Sequence, residues 1–400
     1  LSSVTFSGNS ATERGGGMFN YSSSPSLINV TFSGNTADYG GGMYNDSSSP
    51  SLSNATFSGN MAGSGGGMYN KSNSRPSLRN VTFSGNTAIY GGGIYNESST
   101  PSLSDVTISS NSATFYGGGM YNKSNSSSSL RNVTFSGNKA DYGGGGLYNR
   151  ESSPSLSNVT FSSNTAIVGG GMYNDSNSSP SLSSVTFSGN SATERGGGMS
   201  NESNSNPSLS NITFSINTAD YGGGMSNVSS NPSLSNITFS SNTADYGGGM
   251  YNGSGSLSLS NVTFSSNTAT DRGGGMYNYS SSLSLTNSIL WGNTPDQING
   301  TATVTYSDVQ SGWAGTSNID SDPLLLPLAD NGGFTQTHAL GENSPAIDAG
   351  DPNNCPPTDQ RFFARPVDGD GNGSAVCDMG AYEYGATEDG FTLTVDVAGS

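Results

Sequence analysis

The sequence predicts an all-β fold, a right-handed parallel β-helix whose coils of about 26 residues carry three short strands each. Three observations predict it. A Val-Thr-Phe element recurs with Val or a substitute at 4, 30, 55, 81, 106, 133, 159, 185, 212, 237 and 262, in steps of 25 to 27 residues. Within one unit, Val30 and Phe32 alternate with Thr31 and Ser33, the period-two pattern of a strand with one apolar and one hydroxyl face. No stretch has a helical period, and Gly, Asn, Ser and Pro separate the strands, so a single unit cannot bury a core and must stack on its neighbours. Crossovers between parallel strands are right-handed, which sets the expected hand. Eleven or twelve coils at about 4.8 Å per rung make a rod of about 55 Å.

Each part of the unit has a place in such a coil. Leu27 is apolar but out of phase with Val30 and Phe32, so a bend separates Ser26-Leu27 from the Val-Thr-Phe strand. Asn35 has counterparts at Asn9, Asn60, Asn86, Asn111, Asn138, Asn164, Asn190, Asn217, Asn242, Asn267 and Asn293. Such a column suits an inward ladder at a turn, with amides bonded up and down the stack. The glycine triplets at 15–17, 40–42, 65–67 and onward to 273–275 occupy another corner, where positive φ and close approach of coils exclude a side chain. A further strand is Gly42-Met43-Tyr44-Asn45, with Met43 in and Tyr44 out. Nine units carry Met there, and Ile94 and Leu147 replace it in two others, an interchange that indicates core packing and not metal ligation.

An apolar content of 31% with 10% charged residues leans toward low complexity, but the regular period excludes a disordered chain. The net charge of −17 is uneven: residues 1–286 hold 13 acids and 10 bases, and the remainder holds 16 acids with only Arg361 and Arg365. Neither part invites nucleic acid. No run of eighteen apolar residues suggests a transmembrane segment, and the chain starts within a repeat, as a processed or excised piece of a longer protein would. The expected organisation is repeats over 1–290, an acidic C-terminal region finishing and capping the coil over 291–385, and a further segment or linker over 386–400.

With Phe32-Ser33-Gly34-Asn35 and Gly41-Gly42-Met43 in hand, the units over about 1–295 resemble the repeats of polymorphic outer membrane proteins, the chlamydial-type surface adhesins. The stretch from Asn287 to about Tyr384 is similar to the C-terminal part of bacterial choice-of-anchor Q surface proteins. The residues that carry this likeness are Asn287-Ser288-Ile289-Leu290-Trp291-Gly292-Asn293, Ser344-Pro345-Ala346-Ile347-Asp348-Ala349-Gly350 and Cys377-Asp378-Met379-Gly380-Ala381-Tyr382-Glu383. The resemblance implies an exported bacterial surface protein, and neither family implies one shared catalytic activity.

The functional expectation is therefore an extracellular stalk or adhesin-like rod that is not an enzyme and that contacts itself, end to end or laterally, or a cell-surface glycan or protein. The alternatives are a carbohydrate-active β-helix lyase or hydrolase and a glycan-binding module. A lyase or hydrolase needs a local cluster of unlike groups, whereas Asp38, Asp141, Asp220 and Asp245 recur at one coil position and read as solvated turns. The lone histidine, His338, lies outside the repeats. A strand and no Lys-Ser/Thr pair follows the glycines, so they are not a phosphate loop.

The candidate binding surface is an outward aromatic column: Tyr44, Tyr69, Tyr95, Tyr121, Tyr148, Tyr173, Tyr251 and Tyr277, with Phe19 at one end and Ser200 and Ser226 interrupting. It reads either as a stack that stabilises the sheet or as a platform for sugar rings or another rod. The outward Thr31 and Ser33 array reads as ordinary strand chemistry, since Ser lacks the methyl group of an ice-binding surface. Triplets such as Asn29-Val30-Thr31 and Asn45-Asp46-Ser47 read as turns ahead of glycan acceptors. Asp368, Asp370 and Asn372 match the start of a calcium loop, but position twelve is Met379, so Asp378 or Glu383 would have to complete the shell. Cys355 and Cys377 are the only cysteines and would form a disulfide in an exported protein.

Overall fold

The computed structural model describes residues 1–387. It is a right-handed parallel β-helix of three sheets, and every strand pair along the rod is parallel and advances by one coil. The segment expected over 386–400 lies outside the described residues from 388 onward.

The first sheet carries the Val-Thr-Phe strands. In early coils Ser26–Ile28 and Thr31–Ser33 are separate, from Ser102–Ser109 to Ser256–Ser265 the two run as one strand, and they part again as Ser282–Thr286 and Ile289–Trp291. The bend between them is a left-handed residue, Asn29 at φ 55° and its counterparts Asn54, Asn80, Asp105 and Asn132. Asn and Asp tolerate that conformation better than other residues with a Cβ. The left-handed step resets the phase, so Leu27, Val30 and Phe32 all point inward with at most 1% exposure. Inside, the Phe rings stack coil on coil, Phe32 over Phe57 at 4.6 Å with planes 7° apart. The Met column, with Ile94 and Leu147, completes this core.

The second sheet was not expected. Thr36–Tyr39 and its equivalents are strands that turn one small residue inward, such as Ala37, buried in all but Thr165–Val168. One alanine per coil leaves no apolar alternation to read. Asp38, Asp220 and Asp245 therefore stand on strands facing solvent, which corrects the turn assignment, and only Asp141 falls in a bend just past Lys139–Ala140. The third sheet carries Met43–Asp46 and its equivalents in exact register, Met43 on Met68 and Tyr44 on Tyr69.

The corners between sheets are made by side-chain ladders and glycine. Asn35 Nδ2 donates to Asn60 Oδ1 at 2.9 Å and to the Phe6 carbonyl at 2.9 Å, and the pattern repeats to Asn293. These amides are buried as expected, except Asn9 at the exposed first coil. A second buried ladder was not expected: Asn45, placed at the end of a strand and also in a turn triplet, donates from Nδ2 to Asn70 Oδ1 at 2.8 Å, and both are fully buried in strands. At the glycine corner Gly40 sits at φ +65°, while a Cβ on Gly42 would lie 2.5 Å from the Gly67 carbonyl oxygen.

The last rungs come from Ile289–Trp291, Ile298–Asn299, Thr303–Thr305 and Asp308–Val309, and Trp313 packs against the end of the core. The chain then returns along the outer face of the first sheet, over the coils of Ser208–Ser215, Ser233–Ser240 and Ser256–Ser265. There the hydroxyl array finds partners: Thr213 Oγ1 donates to the Gln336 carbonyl at 2.6 Å, Thr238 Oγ1 to Gln360 Oε1 at 2.8 Å, and Thr263 Oγ1 accepts from Ala381 N at 3.1 Å. Cys355 and Cys377 are bonded, with Cα atoms 5.9 Å apart. No helix among the described residues is long and apolar enough to cross a membrane.

Candidate functional site

The tyrosine column lies outside the coil, as its alternation with Met requires, but it is not the exposed platform expected of it. Tyr44, Tyr69, Tyr95, Tyr121 and Tyr148 are 2 to 6% exposed, and Tyr173, Tyr251 and Tyr277 are half-buried. Two effects cover them. The rung spacing forces each ring onto the next, with centroids 5.0 Å apart for Tyr44 and Tyr69 and 4.8 Å for Tyr121 and Tyr148. A second aromatic column, one residue before each glycine triplet, leans over them from the second sheet and includes Tyr39, Tyr90 and Tyr116. Burial pushes the Tyr69, Tyr95 and Tyr148 phenols well above their ordinary value, so they are donors and not bases at neutral pH. Tyr69 donates to Glu97 Oε2 at 2.6 Å, and Tyr173 to Glu202 Oε2 at 3.1 Å.

The outer column loses its ring at several coils, and at one of them a pocket forms. Ser64 takes the position of Tyr39 and Tyr90, in register with both, and a pocket of about 330 Å³ opens there. Arg14, Lys71 and Glu97 bring charge to it. The sequence reading passed over this site, although Ser64 before Gly65, between Tyr39-Gly40 and Tyr90-Gly91, is a visible break in a periodic column.

The calcium-like loop has a different membership from the expected one. Carboxylate oxygens of Asp348, Asp368 and Asp370 converge within 4.8 Å, so these three, and not the expected set, are the acids grouped at the loop. Asn372 instead donates from Nδ2 to Asp370 Oδ2 at 2.8 Å and accepts from Ser374 N through Oδ1. Asp378 and Glu383 do not complete a shell. They are fully buried beside Arg365, which pairs with Glu383 at 3.0 Å. Met379 at position twelve is buried as well. The carboxylates of Asp348 and Asp368 already accept loop backbone N–H groups, Gly369 and Asp370 on the first and Gly371 and Gly373 on the second. That is how an Asp/Gly turn closes without an ion.

The other titratable groups of the C-terminal region serve its docking. Arg361 is clamped by Asp359 and lies 3.7 Å from the centre of the Tyr382 ring. His338 is buried between the Leu326 carbonyl and Ser240 Oγ, and desolvation holds its pKa below the ordinary value.

The class this geometry defines is the parallel β-helix, and the family described as "Right handed beta helix region" matches residues 19–184. A solved structure with the same fold is the pectate lyase Pel9A, 13% identical, with 85% of this chain and 88% of that chain covered and a TM-score of 0.41. No curated protein sequence matches this chain. The expectation that the chain is not an enzyme is withdrawn, because the parallel β-helix fold gives no ground to exclude catalysis. At that identity the likeness concerns fold and assigns no reaction.

Proposed function

We propose that this chain is the rod of an extracellular bacterial surface protein, serving as a structural stalk or adhesin-like spacer. The observation that carries the proposal is the unbroken stacking of the third sheet, twelve strands among the described residues, with a buried Asn ladder from Asn20 to Asn227 and again from Asn252 to Asn278 and one Met-rich column. At about 4.8 Å per rung its eleven steps span about 53 Å. Side chains whose partners are their own copies one coil away make length without a local centre, and a spacer needs length. The resemblance to polymorphic outer membrane repeats and choice-of-anchor Q regions supports export and surface display.

The test is antibody labelling of intact source cells, with protease shaving before lysis. Labelling that is lost on shaving is the expected result. A signal that appears only after lysis overturns the proposal.

A further inference from the structure

Each residue of the outer column lies over the inner-column residue one coil further on. Tyr39 meets Tyr69 edge-on at 5.6 Å, Tyr116 meets Tyr148 at 4.6 Å, and Tyr221 meets Tyr251 at 5.3 Å. In the first coil Arg14 takes the ring's place, with its guanidinium 5.5 Å from the centre of Tyr44. Where the outer column loses its ring, the inner column changes with it: Val168 and Arg195 stand one coil before Ser200 and Ser226. Gly143 is followed by Tyr173, yet that break closes itself, since Tyr173 lies 2.6 Å from where a Cβ on Gly143 would be.

Ser64 is the exception. The residue one coil on is Tyr95, an aromatic ring retained although Ser64 sets no ring over it, and it is still only 6% exposed. Tyr39 and Tyr90 flank the gap two rungs apart, about 9.6 Å between strands. Intact stretches of the same column stack at 5.1 to 6.4 Å, so the gap has the thickness of one ring.

We infer that the Ser64 gap is a binding slot for one pyranose ring of an anionic glycan, a sugar carrying a carboxylate or a sulfate. A pyranose presents apolar C–H faces to the Tyr39 and Tyr90 rings and a hydroxyl rim to Ser64 and Glu97, which suits a pocket whose exposed lining is mostly polar. Charge selects the anion. Arg14 and Lys71 line the pocket, and among the described residues neither has a carboxylate oxygen within the 4.0 Å of an ion pair. Glu97 is the one acid at the slot and is engaged by the Tyr69 hydroxyl. The slot does not depend on the rod being a stalk.

The experiment is calorimetric titration of the full chain with methyl β-glucuronide, glucose 6-sulfate and neutral methyl β-glucoside. At least one anionic sugar is expected to bind about tenfold more tightly than the neutral one, with affinity falling as salt rises. Ser64→Tyr, which restores the missing ring, should keep the fold by circular dichroism and weaken binding more than about tenfold. Lys71→Gln should reduce binding of the anionic sugar and leave that of the neutral one unchanged, which tests the slot even if Ser64→Tyr does not fold. Equal binding by wild type and a folded Ser64→Tyr, no preference for the anionic sugars, or no binding of any of the three at about 10 mM each overturns the inference.

Discussion

Asn138 Nδ2 donates to Asn164 Oδ1 at 3.0 Å and to the Ile108 carbonyl at 2.8 Å, while its own Oδ1 receives both the backbone N–H and the side-chain amide of Asn111. One buried side chain thus joins three coils. Replacing Asn138 with Ala leaves these groups without partners and should cost about 1–3 kcal/mol. Urea unfolding checks it, and an unchanged midpoint would count against the ladder as a stabilising element.

The glycines of a coil are not equivalent. A Cβ on Gly67 would lie 2.6 Å from the Gly93 carbonyl oxygen and 2.8 Å from the Phe83 ring, so Gly67→Ala should disrupt stacking and lower the melting temperature strongly. Gly59 has nothing within 4 Å of its Cβ position, and Ser110, Ser163 and Ser241 hold the equivalent left-handed position at φ 54–55°. Gly59→Asn is therefore expected to shift stability by less than about 1 kcal/mol. Similar melting curves for the two variants would refute the distinction.

Asp308 is fully buried, and its Oδ2 has no hydrogen-bond partner. Burial pushes its pKa up to about 7. A carboxyl raised in the folded state favours folding fully below its unfolded pKa of about 3.9, and that contribution disappears as pH rises through the folded value. Asp308→Asn should then stabilise the protein at pH 8 and make little difference near pH 4. Thermal melts of both proteins across that range test the sign. A stabilisation that is larger at pH 4 than at pH 8 would show the carboxylate to be compensated.

The disulfide between Cys355 and Cys377 closes a loop with a sequence separation of 22. Chain-entropy reasoning gives it about 3 kcal/mol over the reduced chain. Substituting both cysteines by Ser should release the C-terminal region from the outer face of the first sheet. Faster hydrogen exchange at the Ala381 amide, which donates to Thr263 Oγ1, is the expected readout. Two free thiols in protein purified without reductant would remove the premise.

Sequence by itself determined the period, the stacking, the inward Met and Phe columns and the Asn35 ladder, because each of these repeats the same residue type at the same step of the coil. Repetition also hid things. The strand at Thr36–Tyr39 escaped because only Ala37 turns inward, and the Asn45 ladder escaped because Asn45-Asp46-Ser47 has the composition of a turn. Tertiary structure alone decided that the tyrosines are covered, since the ring over Tyr69 belongs to Tyr39, thirty residues back and on another sheet. It also decided that Asp348 and not Asn372 joins Asp368 and Asp370, and that the C-terminal region lies on Thr213, Thr238 and Thr263 and leaves the same hydroxyls of earlier coils partly exposed. The physical reason is common to these cases. A periodic pattern specifies how one coil meets the next, but contacts across a corner or from a non-repeating segment depend on where sheets turn, and no local residue pattern encodes that.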